Sequence, residues 1–177
     1  DMDEAYIKAL KKMSINGEII RQVADYIKIV YTPFHGTGNV PVRRILKELG
    51  FKHVYIVKEQ EKPDPDFTTL EYPNPEDPKA FTLALKLAKE KDADIILATD
   101  PDADRLGAYS NDTKTGEYTA FTGHMSGMLI AEYPLSPRQE KNLLHDNGAS
   151  VTTIVSTHMA DAIAAEYTVH PHGVLKG

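Results

Sequence analysis

The run Ala93-Asp94-Ile95-Ile96-Leu97-Ala98-Thr99, followed at once by Asp100-Pro101-Asp102-Ala103-Asp104-Arg105, constrains the chain more than any other stretch. A short apolar segment without polar alternation predicts a strand covered on both faces, as in a sheet layered between helices. The flanking sequence supplies such helices. Residues 3–13 place Ala5, Ile7, Leu10 and Met13 at near-helical spacing, with Asp3 as a cap. Ile27 to Tyr31 alternates and is β-branched, predicting a strand, and Val54 to Val57 predicts another. A helix is expected near 40–50, with Pro41 in its first turn and Gly50 at its end, and another at 78–91. Leu106 to Ser110 completes the set. The fold class is therefore α/β: a layered sheet of 27–31, 54–57, 94–99 and 106–110 with helices on both faces.

The first unit is expected to span 1–120, with 1–26 as a helical lead-in. From 121 the pattern starts again: a helix near 123–133, a polar stretch at 134–148, a strand at 150–156 and a helix at 159–167. This predicts the truncated start of a second, similar α/β domain over 121–177. The chain opens on Asp1 in helix-like sequence and stops at Leu175-Lys176-Gly177, just after a strand-like stretch. It is expected to be a piece of a longer protein. A length of 177 residues suits one domain plus part of another.

Composition removes several classes of function. A net charge of −6 with no basic block argues against nucleic acid and anionic membranes as partners. No apolar run approaches the ~18 residues of a membrane helix. Asp1-Met2-Asp3-Glu4 lacks the regions of a signal peptide. The absence of cysteine excludes disulfides and thiolate zinc sites and suits a cytoplasmic location.

In layered α/β sheets chemistry sits beyond the carboxyl ends of strands, which directs attention to Thr32–Asn39 and Thr99–Arg105. Asp100, Asp102 and Asp104 put three carboxylates immediately after a buried strand. A hard divalent cation would relieve their repulsion, since Mg²⁺ and Ca²⁺ prefer carboxylate oxygens. Arg105 adds a planar cationic fork suited to phosphate. The plainer reading is an acidic turn with Arg105 as its counter-ion. An EF-hand would need Gly at the position of Arg105 and Glu at that of Asn111. An aspartate-nucleophile phosphatase, the runner-up, would show Thr or Val in place of Asp104 and an acidic pair downstream. Gly36-Thr37-Gly38 imitates a dinucleotide fingerprint, with Glu59 about twenty residues on, but Pro41 stands where the third glycine belongs. Its glycines are read as permitting a tight strand-to-helix turn. The proline-rich stretch 60–78 is expected to be a functional loop, a clamp across a surface, or a mobile excursion.

Several segments in order resemble the α-D-phosphohexomutase family, the phosphoglucomutases and phosphomannomutases. Tyr31-Thr32-Pro33-Phe34-His35-Gly36-Thr37-Gly38-Asn39 is similar to the opening of that family's second domain. Glu59-Gln60, Pro63-Asp64 and Tyr72-Pro73-Asn74-Pro75-Glu76 resemble its central part. Ala98 to Gly107 resembles its magnesium loop, and Val151–Ser156 with Met159–Ala164 resembles the early third domain. The resemblance implies interconversion of hexose 1-phosphates and 6-phosphates through a bisphosphorylated sugar, with glucose 1,6-bisphosphate as activator. It implies Asp100, Asp102 and Asp104 as Mg²⁺ ligands, Arg105 on phosphate oxygens, and His35 in a loop facing the substrate. The sugar phosphate and the missing domains of the same polypeptide are the implied partners.

The departures are equally informative. No Ser-His-Asn-Pro phosphoserine loop is present, nor the Glu-Glu-Ser-Gly sugar loop, nor the Arg-x-Ser-Gly-Thr phosphate loop. Phe67-Thr68-Thr69 replaces the usual Phe-Pro-Thr, and Leu175-Lys176-Gly177 the usual Leu-Thr-Gly. The fragment is accordingly expected to be inactive alone. Two classes stay open: a piece of a mutase, with phosphoglucomutase favoured by the first loop, or a non-catalytic metal-binding or interaction module on the same fold.

Overall fold

A computed structural model describes residues 2–175. Asp1, Lys176 and Gly177 lie outside the described residues, and with them most of the closing Leu175-Lys176-Gly177 segment. The chain forms two compact units, Asp1–Thr122 and Gly123–Gly177.

In the first unit, helices α1 (Met2–Met13) and α2 (Gly17–Val23) precede strand β1 (Lys28–Thr32). Helix α3 (Asn39–Glu48) and strand β2 (His53–Ile56) follow, then a long connection bounded by 3-10 turns at Lys58–Gln60 and Pro78–Phe81. Helix α4 (Thr82–Lys91) leads to β3 (Ile95–Thr99), β4 (Leu106–Asn111) and β5 (Tyr118–Phe121). The five strands form one sheet, ordered β2-β1-β3-β4-β5 and flanked by helices. β1 runs parallel to β2 and β3, whereas β4 runs antiparallel to both its neighbours. The apolar run thus occupies the central strand, with Ile96 and Ala98 fully buried. Val30, Phe34, Val57, Phe81 and Tyr109 pack with them, and Phe81 meets Phe34 edge-on at 5.6 Å between ring centroids.

Two local features show how the sequence ends its elements. Gly50 follows α3 at φ +98, and Phe51 N returns to Leu46 O, closing the helix in the left-handed manner that glycine favours. The Tyr118 hydroxyl is shared between Ala88 O in α4 and Ala93 O just beyond it, so β5 ties down the end of a helix it does not adjoin in sequence. β5 was not among the expected strands: Tyr118-Thr119-Ala120-Phe121 is short and lies at the sheet edge, where little apolar patterning is required.

In the second unit, α5 (Gly123–Glu140) precedes β6 (Ala149–Thr153), α6 (Met159–Glu166) and β7 (His170–Val174), with β6 and β7 parallel. The polar stretch expected from residue 134 is corrected here. Helix α5 runs through Pro134 and Pro137 to Glu140, and Pro137 is a buried side chain of the unit, so packing holds turns that proline disfavours. The strand expected to reach Ser156 stops at Thr153, where Ser156 N turns back to Thr153 O. The Tyr167 hydroxyl donates to the Glu132 carboxylate and ties α6 to α5. Among the described residues no helix is long and apolar enough to cross a membrane.

Candidate metal centre

Asp100 to Arg105 is the loop of a β-hairpin. Thr99 pairs with Leu106 at its base, so β3 delivers the acidic turn and β4 carries the chain away. Ala103 lies at φ +62 in the left-handed region, and its amide donates to Asp100 O at 3.0 Å. That tight turn brings one carboxylate oxygen from each of Asp100, Asp102 and Asp104 within 4.8 Å of the others. Asp100 is buried while Asp102 and Asp104 face outward.

The Asp100 carboxylate is held by its own loop. Its Oδ1 accepts from Arg105 N at 3.0 Å, and Arg105 Nε stands 3.6 Å from Oδ2. The same Nε is 3.7 Å from Asp104 Oδ1, placing a half-exposed guanidinium against two of the three acids. It does not cancel their repulsion. The Asp100 carboxyl beside it and then the Asp102 charge hold the Asp104 carboxyl above the usual carboxylate range, with Arg105 opposing. Such a cluster of oxygen donors, carrying more negative charge than its one cation relieves, suits a hard divalent ion.

The loop after β1 abuts this turn. Thr37 N donates to Pro101 O at 2.8 Å and Thr37 Oγ1 to the same oxygen at 3.1 Å. A Cβ at Gly36 would lie 2.4 Å from Pro101 Cα, and one at Gly38 would lie 2.5 Å from Thr99 Oγ1 and 2.7 Å from the Tyr31 hydroxyl. The passage from β1 into α3 is a tight turn, with Gly36 N donating to Pro33 O, but close approach calls for the glycines. The left-handed residues of the loop are Phe34 and His35, and glycine stands at 36 and 38 because the acidic hairpin, with the Tyr31 hydroxyl at 38, leaves no room for a side chain. No periodicity in the sequence could have disclosed that, since Pro101 and Thr99 lie more than sixty residues downstream of the glycines they crowd.

The structure brings Asp100, Asp102, Asp104 and Arg105 together. His35 is not one of that group. The residue is buried, with Nδ1 2.7 Å from Lys62 O and Nε2 2.8 Å from Thr69 Oγ1. Beneath the site, sequence reasoning missed a layer of buried polar groups. Tyr31 and Thr99 share a hydroxyl–hydroxyl hydrogen bond, and Thr32 Oγ1 donates to Gln60 Oε1 at 2.6 Å. At the start of α3, Asn39 Nδ2 donates to Glu61 O and Arg43 to the Glu61 carboxylate.

Residues 4–114 match the family model described as phosphoglucomutase/phosphomannomutase, alpha/beta/alpha domain II. A phosphoglucomutase from Staphylococcus aureus (strain MRSA252) is 34% identical over 181 aligned positions, covering 98% of this chain and 32% of the relative. The chain thus spans about a third of the length of that relative. A solved Thermus thermophilus structure, assigned as a phosphomannomutase, superposes with a TM-score of 0.74 at 23% identity, over 100% of this chain and 37% of that one. A phosphoglucomutase/phosphomannomutase family protein from Burkholderia thailandensis gives 0.64 at 23% identity, over 90% and 33%. These two structural likenesses speak to the fold.

Proposed function

The chain belongs to the phosphoglucomutase/phosphomannomutase family, and from that premise we propose that it is the second domain, with the start of the third, of an enzyme interconverting hexose 1-phosphates and hexose 6-phosphates. One observation carries the reading: three carboxylates and an arginine converge on a hairpin loop at the end of the central strand. The donor set is all oxygen, which fits Mg²⁺. Bound there, Mg²⁺ would supply Lewis-acid neutralisation of charge on a transferring phosphoryl group.

The chain's own residues have distinct parts in this proposal. Asp100, fixed by the Arg105 amide, roots the loop, while Asp102 and Asp104 present the outward oxygens. Arg105 is half-exposed and keeps donors for a phosphate oxygen. The substrate class is a sugar phosphate, glucose 1-phosphate being favoured by the Thr32–Gly38 segment, with glucose 1,6-bisphosphate as activator. The phosphoserine and the sugar and distal phosphate loops belong to other domains of a cytoplasmic polypeptide, so this chain alone does not turn over.

Calorimetric titration with Mg²⁺, paired with glucose 1-phosphate assays on this chain and on the complete polypeptide, tests the reading. The chain should bind Mg²⁺ and be inactive, and the complete polypeptide active. Turnover by this chain alone, or heat of binding that survives replacement of all three aspartates by Asn, would overturn it.

A further inference from the structure

His35 lies outside the carboxylate cluster, yet its surroundings are unusually determined. The residue is only 6% exposed, its backbone takes φ +63, and its amide donates to Gln60 O at 2.9 Å. Since Lys62 O can only accept, Nδ1 carries the proton and donates to it. Nε2 shares a hydrogen bond with the Thr69 hydroxyl. Phe67, itself at φ +48, meets the imidazole edge-on. One side chain therefore clasps both ends of the proline-rich segment Lys62–Thr69. The next two residues, Gly36 and Thr37, are the ones seated on Pro101 in the acidic hairpin, with no free space between.

We infer that His35 is a positioning residue: by clasping Lys62 and Thr69 it holds the Phe34–Thr37 turn against Pro101 and so sets how Asp102 and Asp104 are presented. Its nitrogens are spent within the protein, so it does not bind the sugar phosphate. The consequence for the cation rests on the metal reading above, whereas the consequence for the loop does not.

Two variants separate the contributions. Thr69→Val keeps the shape of residue 69 and removes the partner of Nε2. His35→Asn tolerates the left-handed backbone and can still donate to Lys62 O while losing the reach to Thr69. Amide exchange is followed by NMR on the metal-free chain at Thr37, Ala103 and Arg105, whose N–H groups bond to Pro101 O, Asp100 O and Asp100 Oδ1. Each single variant should speed exchange at these three amides by roughly fivefold, the scale of one hydrogen bond, with the amides of β1 and β3 unchanged. The double variant should be no faster than His35→Asn, because both changes break the same bond. Acceleration confined to residues 62–69, or additive in the double variant, would overturn the inference. With Mg²⁺ as probe, Thr69→Val should weaken binding several-fold, and unchanged affinity would overturn the link to the cation. A wild-type chain that binds no Mg²⁺ would remove the proposed function and leave the exchange data to decide the role of His35.

Discussion

The hydroxyls of Tyr31 and Thr99 lie 2.8 Å apart across β1 and β3, in the buried layer directly beneath the acidic hairpin. Thr99 is the last residue before Asp100, so this bond fastens the strand at the point where it becomes the loop. Burial of the phenol raises the Tyr31 pKa from its ordinary 10.0 to about 12, with the Thr99 hydrogen bond and then the Arg43 charge opposing. The sign follows from linkage. Stability contributed by the neutral phenol is intact below pH 10, where the unfolded residue is also neutral. It is lost as pH rises through about 12. Urea melts from about pH 9 to about pH 11.5 should show falling stability. Tyr31→Phe should reduce the slope without abolishing it, because burial also raises Tyr109 and Tyr118. At neutral pH the same variant should cost about 1–2 kcal/mol, having left the Thr99 hydroxyl short of a partner.

Gly36→Ala should be poorly tolerated. The added methyl would meet the Pro101 backbone at 2.4–2.8 Å, and backbone cannot swing aside as a flexible side chain can. A loss of about 1–3 kcal/mol is expected from overpacking alone, read by denaturant unfolding. Gly116→Ala is a useful contrast. Nothing lies within 4 Å of its Cβ direction, so its penalty comes only from φ +73 and should be the smaller.

Asp102→Asn should act in opposite directions with and without cation. In EDTA the melting temperature should hold or rise slightly, because the Asp102 charge is the second cause of the raised Asp104 pKa, after the Asp100 carboxyl. The ionised Asp104 is disfavoured by folding at neutral pH, and removing a neighbouring charge relieves it. In Mg²⁺ the wild type should gain melting temperature and the variant much less. Parallel thermal scans in the two buffers make the comparison, and an equal Mg²⁺ gain would take Asp102 out of the cation site.

Tyr118→Phe should destabilise the first unit by about 1 kcal/mol, since its hydroxyl is shared between one carbonyl in α4 and one just beyond it. The loss should appear in equilibrium denaturation with no change in Mg²⁺ affinity.

What the sequence disclosed and what it concealed divide along sequence distance. The apolar stretch 93–99 and the acidic residues after it are local patterns, and both the central strand and the proximity of the three carboxylates follow from them. Gly50 ends α3 where composition placed it. The role of Gly36 is different, because the atoms that exclude a side chain there belong to Pro101, far along the chain. Tyr118 and His35 were opaque for the same reason: their partners sit 25 to 34 residues away, and nothing in their neighbours points to them. Helix α5 was read too short because proline is a local stop signal, and burial of Pro137 is not a local property.

The antiparallel pairing of β3 with β4 has one more consequence. Asp100 to Arg105 is closed at its base by the Thr99–Leu106 pair, with Ala98 opposite Gly107 and Ile96 opposite Tyr109 behind it. Were a length change in this turn passed on to β4 as a one-residue slip, every β4 side chain would change faces. Tyr109 would leave Phe81, and a side chain would replace Gly107 where Pro75 and Phe81 crowd its Cβ direction. That crowding at Gly107 and the Phe81–Tyr109 contact hold β4 in its present register. Exchanges at the exposed Asp102 or Asp104 alter the charge of the turn and leave that register untouched.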